Sequence, residues 1–122
     1  MNNDTGLSGL RILLVEDEMM VAWMMEEMLA MFGCNVVGPA ARVHEALAMV
    51  EVEAIDAAVL DVSLNGLKSF AVADALAERG VPFVFTTGYD KHSLPVSYQR
   101  FPLLQKPITP EQMADTLLQL IT

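Results

Sequence analysis

Glu16, Asp17, Asp61, Thr87 and Lys106 are of the residue types that handle phosphate, and each stands at or just past the end of a short apolar run. Residues 57–60 lead into Asp61, residues 10–15 into Glu16 and Asp17, residues 81–86 into Thr87, and residues 101–104 toward Lys106. Runs this short, bounded by turn signals, fit strands buried on both faces. In open α/β sheets, ligands bind at the carboxyl ends of such strands. If the strands run parallel, three carboxylates, one hydroxyl and one amine converge on a single cleft. Three carboxylates repel one another, at a cost on the order of 3 kcal/mol per pair for about 5 Å and an effective dielectric of about 20. A hard divalent cation and the Lys106 ammonium are two groups that offset this. Carboxylate oxygens with open water positions suit Mg²⁺. With no His or Cys among the five, zinc is not expected. A carboxylate in this company can act as a nucleophile toward phosphorus. Transfer of the phosphoryl group is then largely positioning and charge neutralisation by the metal and Lys106. Thr87 would hydrogen-bond a phosphoryl oxygen on arrival, which makes Asp61 the candidate acceptor.

The remaining sequence has to bring these ends together. Helical spacing predicts a helix over residues 19–32, with Val21, Met24, Met25, Met28, Leu29 and Phe32 toward the core and Gly33 as its stop. A short strand over residues 35–37 is closed by Gly38-Pro39, and a second helix spans residues 41–52 with Val43, Ala46, Leu47 and Val50 inward. A third helix is expected over residues 67–78, ended by Arg79-Gly80. Residues 90–98 are weakly patterned and interrupted by Pro95, so any helix there is short or irregular. The last helix runs over residues 110–121, with Pro110 suited to its first position. Strand and helix alternate five times, which predicts a parallel sheet with helices on both faces.

Composition bounds the function. The chain has 122 residues, 53% hydrophobic and 19% charged, enough for one folded domain. Its formal net charge of -9 argues against a nucleic-acid partner, because duplex binding relies on Lys and Arg. No apolar run approaches the length of a membrane span. Residues 1–9 lack the basic and apolar regions of a signal peptide, so they are expected to be a flexible lead-in to a domain over residues 10–122, in the cytoplasm. The single Cys34 excludes an internal disulfide; it reads as a small, at least half-buried apolar residue, and His44 and His92 as solvated.

On Glu16-Asp17, Asp61, Thr87 and Lys106-Pro107, in that order and spacing, the chain resembles the receiver domains of bacterial two-component response regulators. The resemblance covers residues 10–121. It implies a single flavodoxin-like (βα)5 domain with strand order 2-1-3-4-5. It also implies Asp61 as phospho-acceptor, Asp17 as direct Mg²⁺ ligand, Glu16 as its water-mediated support, the Ser63 backbone carbonyl as a further ligand, and a cis Lys106–Pro107 peptide. Phe85-Thr86-Thr87-Gly88-Tyr89 is similar to a receiver subgroup with a Phe-Ala-Thr-Gly-Tyr motif, with Thr86 in place of Ala. Two positions depart from the general pattern: Asn65 replaces a common Pro, and Leu103 replaces the usual aromatic switch residue. Tyr89 is therefore expected to take part in switching, and to slow hydrolysis of the phosphoryl group.

The implied function is that of a stand-alone receiver whose output is a change in protein contacts. Its phosphoryl donor is a sensor histidine kinase or a histidine phosphotransfer protein; the downstream protein is unknown, and a homodimer is allowed. Met19, Met20 and Trp23 fall beside the core face of the first helix and suggest an exposed partner patch rimmed by Glu18, Glu26 and Glu27, against the alternative that Trp23 folds over the core edge. Asn65-Gly66 reads as a turn. Two rivals remain: a small phosphatase of the haloacid-dehalogenase type, which wants an Asp where Ser63 stands, and an adaptor that keeps the fold without phosphorylation.

Overall fold

The computed structural model describes residues 6–122. In chain order the elements are β1 (Arg11–Val15), α1 (Met19–Met31), β2 (Asn35–Ala40), α2 (Val43–Val52), β3 (Ala57–Asp61), β4 (Ser63–Leu64) and β5 (Leu67–Lys68). Then follow α3 (Phe70–Glu78), β6 (Phe83–Thr87), two 3-10 turns at Lys91–Ser93 and Val96–Tyr98, β7 (Leu103–Gln105) and α4 (Pro110–Ile121). Five strands form one parallel sheet in the order β2-β1-β3-β6-β7. Counting only these five, the order is the expected 2-1-3-4-5 of the flavodoxin-like fold.

Strand alternation sends side chains to two cores. Leu13, Val15, Ala58, Leu60, Phe83 and Phe85 meet α2 and α3 on one face. Ile12, Leu14, Ala57, Val59 and Val84 meet α1 and α4 on the other. The helix ends follow local chemistry. Thr109 caps α4 by accepting from the Gln112 N–H at 3.1 Å, and Gln112 answers by accepting from the Thr109 N–H at 2.9 Å. Pro110 takes the first helical position, as expected. After α1 the chain turns at Gly33 with φ 81°, where a Cβ would lie 2.9 Å from the Ser8 hydroxyl.

Several expectations change. β2 does not close at Gly38-Pro39 but continues to Ala40, with a register shift opposite Leu14. β2 is an edge strand, where the N–H that proline lacks is not needed by a neighbour. α3 begins at Phe70 because residues 63–68 form the β4–β5 hairpin. Asn65 and Gly66 turn it with φ 52° and 83°, the conformation a two-residue hairpin loop requires. The fourth strand and the last are each displaced toward the carboxyl end, so Thr87 lies within β6. Met24 is half exposed; the small Ala22 takes the inward position with Met25 and Leu29. Of the lead-in expected over residues 1–9, residues 1–5 lie outside the described residues, while Leu7 is wholly buried against the α1–α4 core. Residues 90–98 are irregular as expected, so the fourth helix slot, between β6 and β7, holds only the 3-10 turns. Among the described residues no helix is long and apolar enough to cross a membrane.

Candidate functional site

Register brings the strand ends level. Val15 pairs with Leu60, Asp61 with Thr86, and Thr87 with Gln105. Glu16, Asp61, Thr87 and Lys106 therefore meet at one edge of the sheet. Oxygens of Glu16, Asp17 and Asp61 lie within 4.8 Å of one another. The Lys106 Nζ crosses to them, donating to Glu16 Oε1 at 2.8 Å and Asp61 Oδ2 at 3.1 Å. Its backbone N–H donates to the Thr87 carbonyl at 2.7 Å, which fixes where the lysine leaves β7. The Lys106–Pro107 peptide is cis, as the resemblance implies.

Each acid is held from behind. Asp61 Oδ1 accepts from the Ser63 N–H at 3.3 Å, and the Asp61 carbonyl accepts from the buried Ser69 hydroxyl at 2.6 Å. Asp17 Oδ2 accepts from the Asn65 N–H at 2.9 Å, and Glu16 Oε2 from the Glu18 N–H at 3.2 Å. Thr87 Oγ1 accepts from the Tyr89 N–H at 3.1 Å, which leaves its own proton to donate elsewhere. An open cavity of about 690 Å³ above these groups is lined by Asp17, Asp61, Ser63, Lys68, Phe70, Thr87, Tyr89 and Lys106.

The electrostatics set Glu16 and Lys106 apart from the other groups of the site. Burial is the main cause that pushes the Glu16 carboxyl up to about 7; the Lys106 hydrogen bond opposes it and the Asp61 charge reinforces it. Burial also works against the Lys106 charge, yet its contacts with Glu16 and Asp61 together raise its pKa above the ordinary lysine value. Lys106 thus stays an ammonium, and burial makes Glu16 the carboxyl that holds a proton most readily. A site of three clustered carboxylate oxygens, with no His or Cys among its ligands, fits a hard divalent cation such as Mg²⁺.

The other candidates surround this centre. Tyr89 is 72% exposed at the cavity rim. Met19, Met20 and Trp23 are exposed on α1, so Trp23 does not fold away from solvent. Beside them an apolar groove of about 310 Å³ runs along Met24, Met25 and Met28 to Pro107 and Ile108. Cys34 is buried, and His44 and His92 are exposed. Leu103 is half-buried against the α2–α3 core. Two features escaped the sequence reading: Lys68, whose Nζ donates to the Ser63 hydroxyl at 3.2 Å, and the stack of Phe70 on Tyr98 at 4.3 Å. Asn-Gly between Leu64 and Leu67 was a hairpin signal that would have found the first.

Comparison with known proteins agrees with this geometry. Residues 12–118 match the family model of the response regulator receiver domain. The solution structure of SdrG from Sphingomonas melonis Fr1 is similar at 44% identity and a TM-score of 0.83, covering 93% of this chain and 98% of SdrG. The BeF3-activated conformation of SdrG from Pseudomonas melonis Fr1 is similar at 45% identity and a TM-score of 0.81, covering 94% and 99%. The response regulator PhyR from Brucella abortus is 27% identical with a TM-score of 0.82, over 94% of this chain and 49% of PhyR. No curated protein matches the chain. The family match selects the receiver reading over the phosphatase one, and the chain belongs to the response regulator receiver domain family.

Proposed function

We propose that this receiver accepts a phosphoryl group on Asp61 from a phosphohistidine on a sensor kinase or phosphotransfer protein, and signals by changing its contacts with a downstream protein. The observation that carries this is the Lys106 ammonium bridging Glu16 and Asp61 beneath a cavity that Thr87 also lines. An Asp61 carboxylate oxygen forms a bond to phosphorus while the donor's P–N bond breaks. The electron pair returns to the donor imidazole, which takes a proton. Lys106, already 3.1 Å from Asp61 Oδ2, is placed to neutralise charge on a phosphoryl oxygen. The Thr87 hydroxyl, whose proton is uncommitted, donates to another. Glu16, Asp17, Asp61 and the Ser63 carbonyl are the groups that would hold Mg²⁺, which when bound supplies further charge neutralisation at the phosphoryl group.

Switching then starts at Thr87. Its Oγ1 is bonded to the Tyr89 N–H, so a shift of the hydroxyl toward the phosphoryl group loads the loop that carries Tyr89. Leu103 has no ring to rotate, and of the two aromatics lining the cavity, Phe70 and Tyr89, Tyr89 is the exposed one that follows Thr87. The exposed Met19, Met20 and Trp23 offer the donor an adaptable apolar surface next to the site.

Labelling of the purified chain by acetyl phosphate with Mg²⁺ tests the reading. Wild type should carry one label on Asp61, Asp61→Asn none, and Tyr89→Ala a shorter-lived one. Trp23→Ala should slow transfer from a phosphohistidine donor but not from acetyl phosphate. A wild type that takes no label leaves the adaptor reading in its place.

A further inference from the structure

Lys68 has no part in the chemistry above, yet the hairpin delivers it to the same cavity. β4 and β5 pair Ser63 with Lys68, so the lysine stands opposite a residue only two positions past Asp61. It and Lys106 are the two cationic side chains lining that cavity. They differ in what they hold. Lys106 is engaged by two carboxylates, whereas Lys68 makes no ion pair among the described residues and donates to the Ser63 hydroxyl at 3.2 Å. The hairpin is anchored at its turn by the Asn65 N–H on Asp17 Oδ2, 2.9 Å away.

Charge gives this second lysine a task. A divalent cation and Lys106 together balance the three carboxylates. Phosphorylation replaces the single charge of Asp61 with about 1.5 to 2 negative charges on the phosphoryl group. Up to about one negative charge is then left over. An ammonium has three donors on a flexible four-carbon stem, and Ser63 uses one of them. We infer that Lys68 is a second cation for the phosphoryl group on Asp61, moving from the Ser63 hydroxyl to the phosphoryl oxygens; this rests on the reading of Asp61 as acceptor.

The test uses the full chain with Mg²⁺ and acetyl phosphate as the probe, comparing Lys68→Gln, Lys68→Arg, Ser63→Ala and the Ser63→Ala/Lys68→Gln pair. Lys68→Gln should label about three- to tenfold more slowly, with a weaker dependence on salt, and Lys68→Arg should stay near wild type. The same loss should appear when Lys68→Gln is made in the Ser63→Ala background. A loss that vanishes there would mean that the lysine acts only by holding Ser63, and the inference would fall. It would fall equally if Lys68→Gln labelled at the wild-type rate at low salt. An unlabelled wild type would instead remove the acceptor role of Asp61 and this inference together.

Discussion

Asp61 ends a strand in which every residue is buried, and Glu16 follows one in which four of five are; Thr87, across the cleft, hands the chain to residues 88–101, which form no α-helix. On the first side, parallel strands on both flanks fix the backbone, and the acids are fixed in turn by N–H groups and Lys106. On the second, the backbone bonds from Ser93 to Phe101 are short-range turns, and Tyr89 and Val96 lie 72% and 84% exposed. Leu94 in the core, Tyr98 on Phe70 and Phe101 on Phe83 are its anchors. The contrast suits the phosphoryl switch proposed above. Charge must be positioned before the reaction, which needs rigidity, while the output needs an element of low local stability.

Core truncation should expose the difference most strongly. Leu60→Ala, one residue before Asp61 and wholly buried, should cost about 2–5 kcal/mol in urea unfolding. Val96→Ala, on the open segment, should stay within about 0.5 kcal/mol. Equal losses would mean that the two regions are held alike. Mg²⁺ gives the next effect. At one hundred times its dissociation constant it should stabilise wild type by about 2.7 kcal/mol in thermal unfolding. Asp17→Asn should lose this while keeping an oxygen to accept from the Asn65 N–H. A stabilisation unchanged in Asp17→Asn would detach that carboxylate from the metal site.

The rigid side was the more legible one. Buried parallel strands write themselves as short apolar runs, and the residue that ends each run is the one the sheet edge presents; Asp61 and Lys106 could be found that way. What failed depended on neighbours. Gly38-Pro39 reads as a break unless β2 is known to be an edge strand. Leu67-Lys68 reads as the start of a helix unless its pairing with Ser63-Leu64 is seen. Helical spacing counted Met24 into the core because it weighs hydrophobicity, whereas close approach of α1 to the sheet selected the smaller Ala22. Leu7 carries no periodicity at all, and its burial in the core shared by α1 and α4 is a tertiary event. The stack of Phe70 on Tyr98 joins residues too far apart in the chain for any local pattern to announce.

That stack frames the smallest effect. The Tyr98 ring lies 4.3 Å from Phe70 at an interplanar angle of 13°, and its hydroxyl donates to Asp74 Oδ1 at 3.0 Å. Tyr98→Phe keeps the rings and deletes the hydrogen bond. The Asp74 side of that bond is exposed, so its net worth is about 1 kcal/mol or less. If residues 88–101 open independently of the sheet, the loss should appear as faster amide exchange at Leu94, Gln99 and Phe101, whose N–H bonds close its turns. Amides of β1 and β3 should be unmoved, and the urea midpoint nearly so. Faster exchange in β3 to the same degree would place the segment in one cooperative unit with the strands. A phosphoryl group pulling on Thr87 would then have to work against the whole core, and the division between a rigid charge-holding side and a yielding output side would not stand.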